Sequence, residues 1–373
     1  MRLLITGGAG FIGSNFIRYM LEKYQDYEIV NLDKLTYAGN LDNLKDVEAK
    51  YGGQHTPNTP PRQHGACPPN WRGQAYPPLS KGGSVRRYTF VKGDIANAED
   101  VKKAIGDGVD GIINFAAETH VDRSLYDPLA FIKTDIEGTY VLLEAVKDYG
   151  IKRFHQVSTD EVYGDILQGF SKEDDVFRPS SPYSASKAGG EHQVLAAFRT
   201  FDLPVTITRG TNNYGPYHYP EKIIPLFITN AMEDKELPVY DGGAQIRDWI
   251  YVTDHCRAID LVFHKGKIGE AYNVGANNNP EITNLELTNK ILELTGKPEN
   301  LKKPVQGLRP GHDQRYAVNC EKIKALGWKP EVDFEKGIKL TVEWYKNNEW
   351  WWKKIKSGEY LEYYKKHYEN KNK

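Results

Sequence analysis

Three clusters in this 373-residue chain combine residue types and spacings that can do chemistry. The first is Thr6-Gly7-Gly8-Ala9-Gly10-Phe11-Ile12-Gly13, set between a short apolar run and an amphipathic stretch. Gly7 and Gly10 let the backbone turn sharply and approach a pyrophosphate. The N–H groups of the helix that follows meet its charge, and Gly13 permits close helix-to-strand packing. Asp33 closes the next apolar run, 20 residues after Gly13, where a carboxylate can accept both hydrogen bonds of an adenosine ribose diol. The same charge repels a 2′-phosphate, so the pattern points to NAD over NADP, with adjacent Lys34 arguing the other way. A glycine triad alone would equally describe a turn that binds nothing; the strand, helix and distant carboxylate give it weight.

The second cluster, Tyr183-Ser184-Ala185-Ser186-Lys187, opens a predicted helix, which puts Tyr183 and Lys187 on one face a turn apart. A nearby ammonium, aided by a positive nicotinamide ring, favours phenolate, so Tyr183 can take a hydroxyl proton as hydride leaves. Without the glycine loop, the same spacing is that of an ordinary amphipathic helix start. The third cluster is Ser158-Thr159-Asp160-Glu161-Val162-Tyr163-Gly164. Adjacent carboxyls usually mark a solvated turn, but these follow a predicted strand, and such strand ends face the cofactor in parallel sheets.

The elements that must carry these clusters alternate along the chain. Strands are expected at 3–6, 28–33, 88–91, 111–115, 153–158, 204–209 and 270–274, with helices at 11–24, 134–149 and 183–200. That alternation predicts a parallel sheet covered on both faces. Beyond Asn213, prolines 216, 220, 225 and 238 break the pattern, and a second, smaller domain is expected there. The division expected is 1–212 with 247–277 for the cofactor and 213–246 with 278–373 for substrate. Residues 52–84 form a Pro/Gly-rich insertion with Leu79 its only large aliphatic residue, expected to be an irregular loop at the amino edge of the sheet. Its His55, His64 and Cys67 are too scattered to favour a metal site. The Trp-, Tyr- and Lys-dense segment from Trp344 suits a solvated helix packing its aromatics better than a membrane-surface or nucleic-acid helix.

A net charge of -1 and 39% hydrophobic content leave no electrostatic footprint for nucleic acid or an anionic membrane. The expected partner is a small molecule. No signal-peptide layout or spanning apolar stretch is visible, so a cytoplasmic location is expected. Cys67, Cys256 and Cys320 lie far apart and suggest neither a disulfide framework nor a thiolate metal site.

With the Gly-x-x-Gly-x-x-Gly and Tyr-x-x-x-Lys patterns in place, the chain resembles the extended short-chain dehydrogenase/reductases. Within them, Thr159-Asp160-Glu161 resembles the signature of the dTDP-glucose 4,6-dehydratases more than the segments of sugar 4-epimerases or related decarboxylases. Segments 31–40, 116–124, 181–188, 212–216, 220–225, 247–254 and 309–316 carry the likeness along nearly the whole chain. The resemblance implies an α/β fold: a Rossmann-type doubly wound parallel sheet with a smaller C-terminal substrate-binding domain. It implies NAD held by Gly7, Gly10, Phe11, Ile12, Gly13, Asp33, Lys34, Asp94, Ile95, Ala116, Ala117, Tyr183 and Lys187. For a nucleotide sugar it implies His120, Asn212, Glu221, Lys222, Pro238, Tyr240, Arg247, Arg309 and His312. Arginine suits bidentate phosphate recognition, with structural ion pairing the alternative for Arg247 and Arg309. His120 and Asp122 could equally order their loop. A homodimer built on helices 134–149 and 183–200 is also implied.

The implied reaction starts with Tyr183 taking the sugar 4-hydroxyl proton, Thr159 holding that hydroxyl, as C4 delivers hydride to NAD. Glu161 then removes the C5 proton while protonated Asp160 donates to the departing 6-hydroxyl, and hydride returns to C6. Two neighbouring carboxyls in a dry site must keep different pKa values for this. A nucleotide-sugar 4-epimerase needs no such pair, and a non-catalytic NAD-binding regulator would not need Tyr183 and Lys187. The chain departs from the family at Gly210-Thr211, at Asp241-Gly242-Gly243 and at Gly189-Gly190, the last expected to loosen its helix.

Overall fold

The computed structural model describes residues 1–52, 86–306 and 313–358. Arg309, His312, Cys67 and all of the insertion except Gly52 lie outside them. Seven parallel strands form the central sheet: β1 (Arg2–Thr6), β2 (Glu28–Asp33), β3 (Tyr88–Lys92), β4 (Gly111–Asn114), β5 (Phe154–Thr159), β6 (Val205–Gly210) and β7 (Ala271–Val274). Their spatial order is 7-6-5-4-1-2-3. The order reverses direction between β1 and β4, which places a crevice at the carboxyl ends of those strands.

Both faces of the sheet are covered, which is why the strands read as continuous apolar runs. Leu3 and Ile5 point to one face, where α1 (Phe11–Lys23) packs Phe16, Ile17 and Met20 among them. Leu4 points to the other, with Leu142 and Val146 of α2 (Thr139–Asp148) and Val194 of α3 (Pro182–Phe201). The period of two in the strand and of three to four in the helices meets in these contacts.

The expected helix 134–149 is interrupted at its start: Ile132–Gly138 forms a π-helix before α2. Insertions of this kind recur at functional sites. The π turn pushes its backbone toward α3. A Cβ at Gly190 would stand 2.6 Å from the Asp135 carbonyl oxygen, and one at Gly189 would stand 2.6 Å from Ile136 Cδ1. The glycine pair answers this crowding. It permits close packing, and α3 runs unbroken for 20 residues.

A second core gathers α4 (Ile223–Met232), α6 (Asn284–Thr295), α7 (Phe334–Asn347) and α8 (Glu349–Lys356), while α5 (Val252–Lys265) packs Val252, Cys256, Ile259 and Phe263 on the sheet beside α1. Ile224, Phe227, Leu287, Ile291, Ile338, Tyr345, Trp351 and Trp352 are its buried centre. The terminal aromatic segment thus packs Trp351 and Trp352 inward while Trp350 faces solvent. Cys256 and Cys320 are free and buried. Among the described residues, no helix is long and apolar enough to cross a membrane.

Candidate active site

The glycine loop follows β1 at the crevice. Gly7 has φ +66°, and a Cβ there would lie 2.6 Å from the Ala116 nitrogen, so both conformation and space require glycine. The Gly8 N–H donates to Asn31 Oδ1 at 3.0 Å and the Ala9 N–H to Asp33 Oδ2 at 2.8 Å. Asp33 Oδ1 accepts from the Leu35 N–H at 2.8 Å. Burial raises the Asp33 pKa, opposed by these two backbone donors. Each carboxylate oxygen keeps a further lone pair for a ribose hydroxyl. Lys34, the residue that argued for NADP, ion-pairs with Asp94 Oδ2 at 2.7 Å. Gly10 is the N-cap of α1, and the first-turn N–H groups of Phe11, Ile12 and Gly13 have no intrahelical acceptor. This donor set and this Cβ-free cradle fit the pyrophosphate and ribose of a dinucleotide.

The carboxyl pair stands at the end of β5. The Thr159 hydroxyl accepts from the Glu161 N–H at 3.2 Å and donates to Asp160 Oδ1 at 3.2 Å, capping the short turn Asp160–Tyr163. Tyr163 pins that turn: its hydroxyl donates to Asn273 Oδ1 at 2.8 Å and accepts from Arg209, which is ion-paired with buried Glu191. Asp160 is buried, and burial followed by the charges of Glu161 and Asp248 pushes its pKa up to about 8. It therefore holds its proton at neutral pH.

Across the cavity, α3 begins at a capping box between Ser181 and Ser184, which fixes Tyr183 in its first turn. The expectation that Lys187 brings the phenol toward phenolate is not met by the protein's own groups. Burial raises the Tyr183 pKa well above its ordinary value, the charges of Glu161 and Asp135 raise it further, and a hydrogen bond to Thr159 opposes them. Lys187 is buried and donates to the Val157 carbonyl at 3.1 Å. Asp135, on the π turn, is fully enclosed and accepts from the Ser186 hydroxyl at 2.6 Å. Burial lifts its pKa to about 6, with the Lys187 charge pulling it down. Beside it, burial and then Asp135 lift Glu118 to about 7.

The far end of the cavity is built from the second core. Burial lifts Glu221 to about 7, opposed by Lys222 and Arg123. Arg123 Nε lies 3.5 Å from Glu221 Oε2, and its guanidinium sits 3.7 Å over the Tyr37 ring. Lys222 donates to the Thr119 carbonyl. Arg247 donates to the carbonyls of Ile246 at 2.7 Å, Asp313 at 2.9 Å and Gln314 at 3.2 Å, and its guanidinium lies 4.4 Å over Tyr316. Three of its five donors therefore hold backbone, a use that the choice between phosphate clamp and ion pair did not include.

One cavity of about 410 Å³ is lined by Gly7, Asp33, Tyr183, Glu161, Glu221 and Arg247 together. The other residues expected for cofactor and substrate, from Gly10 to Tyr240, line it too, as do Asn212, Pro238 and His120. Arg309 and His312 lie outside the described residues. The same cavity is lined by Glu118, Asp313 and Tyr316, which sequence reasoning missed along with Asp135 and Arg123. No local spacing marks them, and Asp135 stands among Lys133, Thr134 and Glu137, where one more polar residue carries no signal. Among the described residues, no group of three or more His, Cys, Asp or Glu is placed to hold a metal ion.

Residues 3–275 match the NAD dependent epimerase/dehydratase family. A curated Escherichia coli (strain K12) protein, dTDP-glucose 4,6-dehydratase 1, is 43% identical over 397 residues that cover 100% of both chains. The crystal structure of dTDP-glucose 4,6-dehydratase from Bacillus anthracis str. Ames in complex with NAD is 45% identical, with TM-score 0.80, covering 95% of this chain and 99% of that one. DesIV, a dTDP-glucose 4,6-dehydratase from Streptomyces venezuelae solved with NAD, is 42% identical, with TM-score 0.82, covering 95% and 100%. Likeness in sequence and in fold runs along the whole chain, and the chain belongs to the NAD dependent epimerase/dehydratase family, on its dTDP-glucose 4,6-dehydratase branch.

Proposed function

We propose that this protein is a lyase that dehydrates a nucleotide-activated hexose, dTDP-glucose, to dTDP-4-keto-6-deoxyglucose and water with NAD as cofactor. The observation that carries the reading is Asp160, buried beside Glu161 with its pKa raised by that burial, in the cavity that also holds Tyr183 and the glycine loop. An epimerase has no use for such an acid.

When bound, NAD accepts the hydride from C4 of the sugar and returns it to C6. Tyr183 takes the 4-hydroxyl proton, and Thr159, bonded to Asp160 and to the turn, orients that hydroxyl. Lys187 is anchored under the site to the Val157 carbonyl, with Asp135 as its neighbouring carboxyl. The 4-ketone acidifies C5–H, Glu161 removes that proton, and the proton on Asp160 passes to the leaving 6-hydroxyl. The raised pKa of Asp160 assigns it the acid role. Glu221, Lys222 and Arg247 hold the nucleotide diphosphate end, with Arg309 and His312 assigned there on resemblance alone. Exposed Leu125, Leu129, Ile132 and Tyr140, on and before α2, support a homodimer through that face. We place the enzyme in the cytoplasm because its chemistry uses cytoplasmic cofactor and nucleotide sugar. Incubation with dTDP-glucose, dTDP-galactose and UDP-glucose tests the reading. A 4-keto-6-deoxy sugar from the first supports it, and a C4 epimer overturns it.

A further inference from the structure

The aromatic helix near the end of the described chain reaches the glycine loop through a relay of buried polar atoms. Trp351 is 1% exposed, and its indole Nε1–H donates to Asn43 Oδ1 at 2.8 Å. Asn43 is also 1% exposed, and its Nδ2 donates to the Ala9 carbonyl at 2.8 Å. The Ala9 N–H in turn binds Asp33 Oδ2. Helix α8 is held on both sides: Lys354 pairs with Asp42, next to Asn43, and Lys356 donates to Asn230 Oδ1 at 3.0 Å and Glu233 Oε2 at 2.6 Å at the end of α4.

We infer that Trp351 is a positioning residue for the cofactor: through Asn43 it fixes the Ala9 peptide, and with it the direction in which the N–H groups of the pyrophosphate loop face. The inference rests on the reading that this loop binds NAD. An asparagine amide has a donor end and an acceptor end. Indole has a donor only, so Trp351 dictates that Asn43 turns its oxygen away from Ala9 and its NH₂ toward the Ala9 carbonyl. Without the indole N–H, Asn43 Oδ1 is buried without that donor, and a rotated amide would set oxygen against oxygen at Ala9. Aromatic bulk alone would fill the core equally well; the relay needs the one polar atom on the ring.

Trp351→Phe keeps the ring and removes the donor, while Asn43→Asp keeps the acceptor for Trp351 and removes the donor to Ala9. Both are made in the full chain, freed of bound nucleotide, and titrated with NAD by calorimetry, with hydrogen exchange followed at residues 8–13. Each variant should raise the NAD Kd about tenfold and speed exchange in the loop, with kcat at saturating NAD within about twofold of wild type. The double variant should bind NAD no more weakly than the weaker single one, because both cut one relay. Wild-type NAD affinity in a folded Trp351→Phe protein, or effects that multiply in the double variant, would overturn the inference. If Trp351→Phe does not fold, Asn43→Asp decides alone: an unchanged Kd overturns the relay and a raised one supports it. Failure of the wild-type protein itself to bind NAD would overturn the functional reading and this inference together.

Discussion

Replacing Asp160 with Asn should stabilise the protein while abolishing most of its activity, and the size of the stabilisation should depend on pH. The folded chain holds the Asp160 proton up to about pH 8, against an ordinary value of 3.8. Between those values the folded state binds one proton more than the unfolded state. Stability then falls by about 1.4 kcal/mol per pH unit as pH rises, and this contribution levels off above the folded pKa. At pH 7 the cost comes to about 4 kcal/mol. Asparagine removes it and still accepts the Thr159 hydrogen bond through its amide oxygen. Interaction with Glu161 spreads the transition, so about 2–4 kcal/mol is expected at pH 7 and under about 2 kcal/mol at pH 5. Urea unfolding of both proteins at several pH values between 5 and 8, under matched NAD, measures the gap. Activity should fall about 10²- to 10⁴-fold, because the amide cannot release a proton to the leaving hydroxyl. A stability difference that stays flat across this range would refute the burial argument.

The other perturbations separate neighbouring roles. Glu161→Gln should leave C4 oxidation intact and block elimination, so reduced cofactor absorbance builds on the enzyme while product falls about 10²- to 10⁴-fold; dehydration at the wild-type rate would falsify its role as base. Gly7→Ala places a Cβ 2.6 Å from the Ala116 nitrogen at φ +66°, so copurified NAD, expected on denaturing the wild-type protein, should be absent from a purified variant that still folds. Asp135→Asn removes a buried carboxyl that the fold keeps protonated up to about pH 6. The acid side of the kcat profile should shift to lower pH, and an unchanged profile would show that Asp135 does not act on Lys187 and Tyr183. The dimer reading is checked by solution mass, where a monomer at micromolar concentration counts against it.

What was legible in the sequence was what local spacing encodes. The glycine loop with Asp33 lies within one β-α-β unit, and Tyr183 with Lys187 within about one helical turn, so residue order alone displays their spacing. Asp160 and Glu161 were readable as a pair, but the burial that raises the Asp160 pKa comes from strands and loops distant in the chain. Asp135 was invisible for that reason: its partner Ser186 is 51 residues away, and the π turn that presents it has no distinct periodicity. Trp351 and Asn43 are 308 residues apart. The sequence could say only that the aromatics would be packed. Arg247 marks a different limit, since residue type left a phosphate clamp and an ion pair both open while much of the guanidinium holds the carbonyls of its neighbouring segment.

In the proposed reaction one cavity oxidises C4, eliminates across C5 and C6, and returns the same hydride to C6. It is tested most directly by incubating the protein with dTDP-glucose deuterated at C4 and reading the product by NMR. The expected product is a 4-keto-6-deoxy sugar with the C4 deuterium now on C6 and solvent hydrogen at C5. Deuterium retained at C4 of a galactose configuration, or a 6-deoxy product without deuterium on C6, would contradict it.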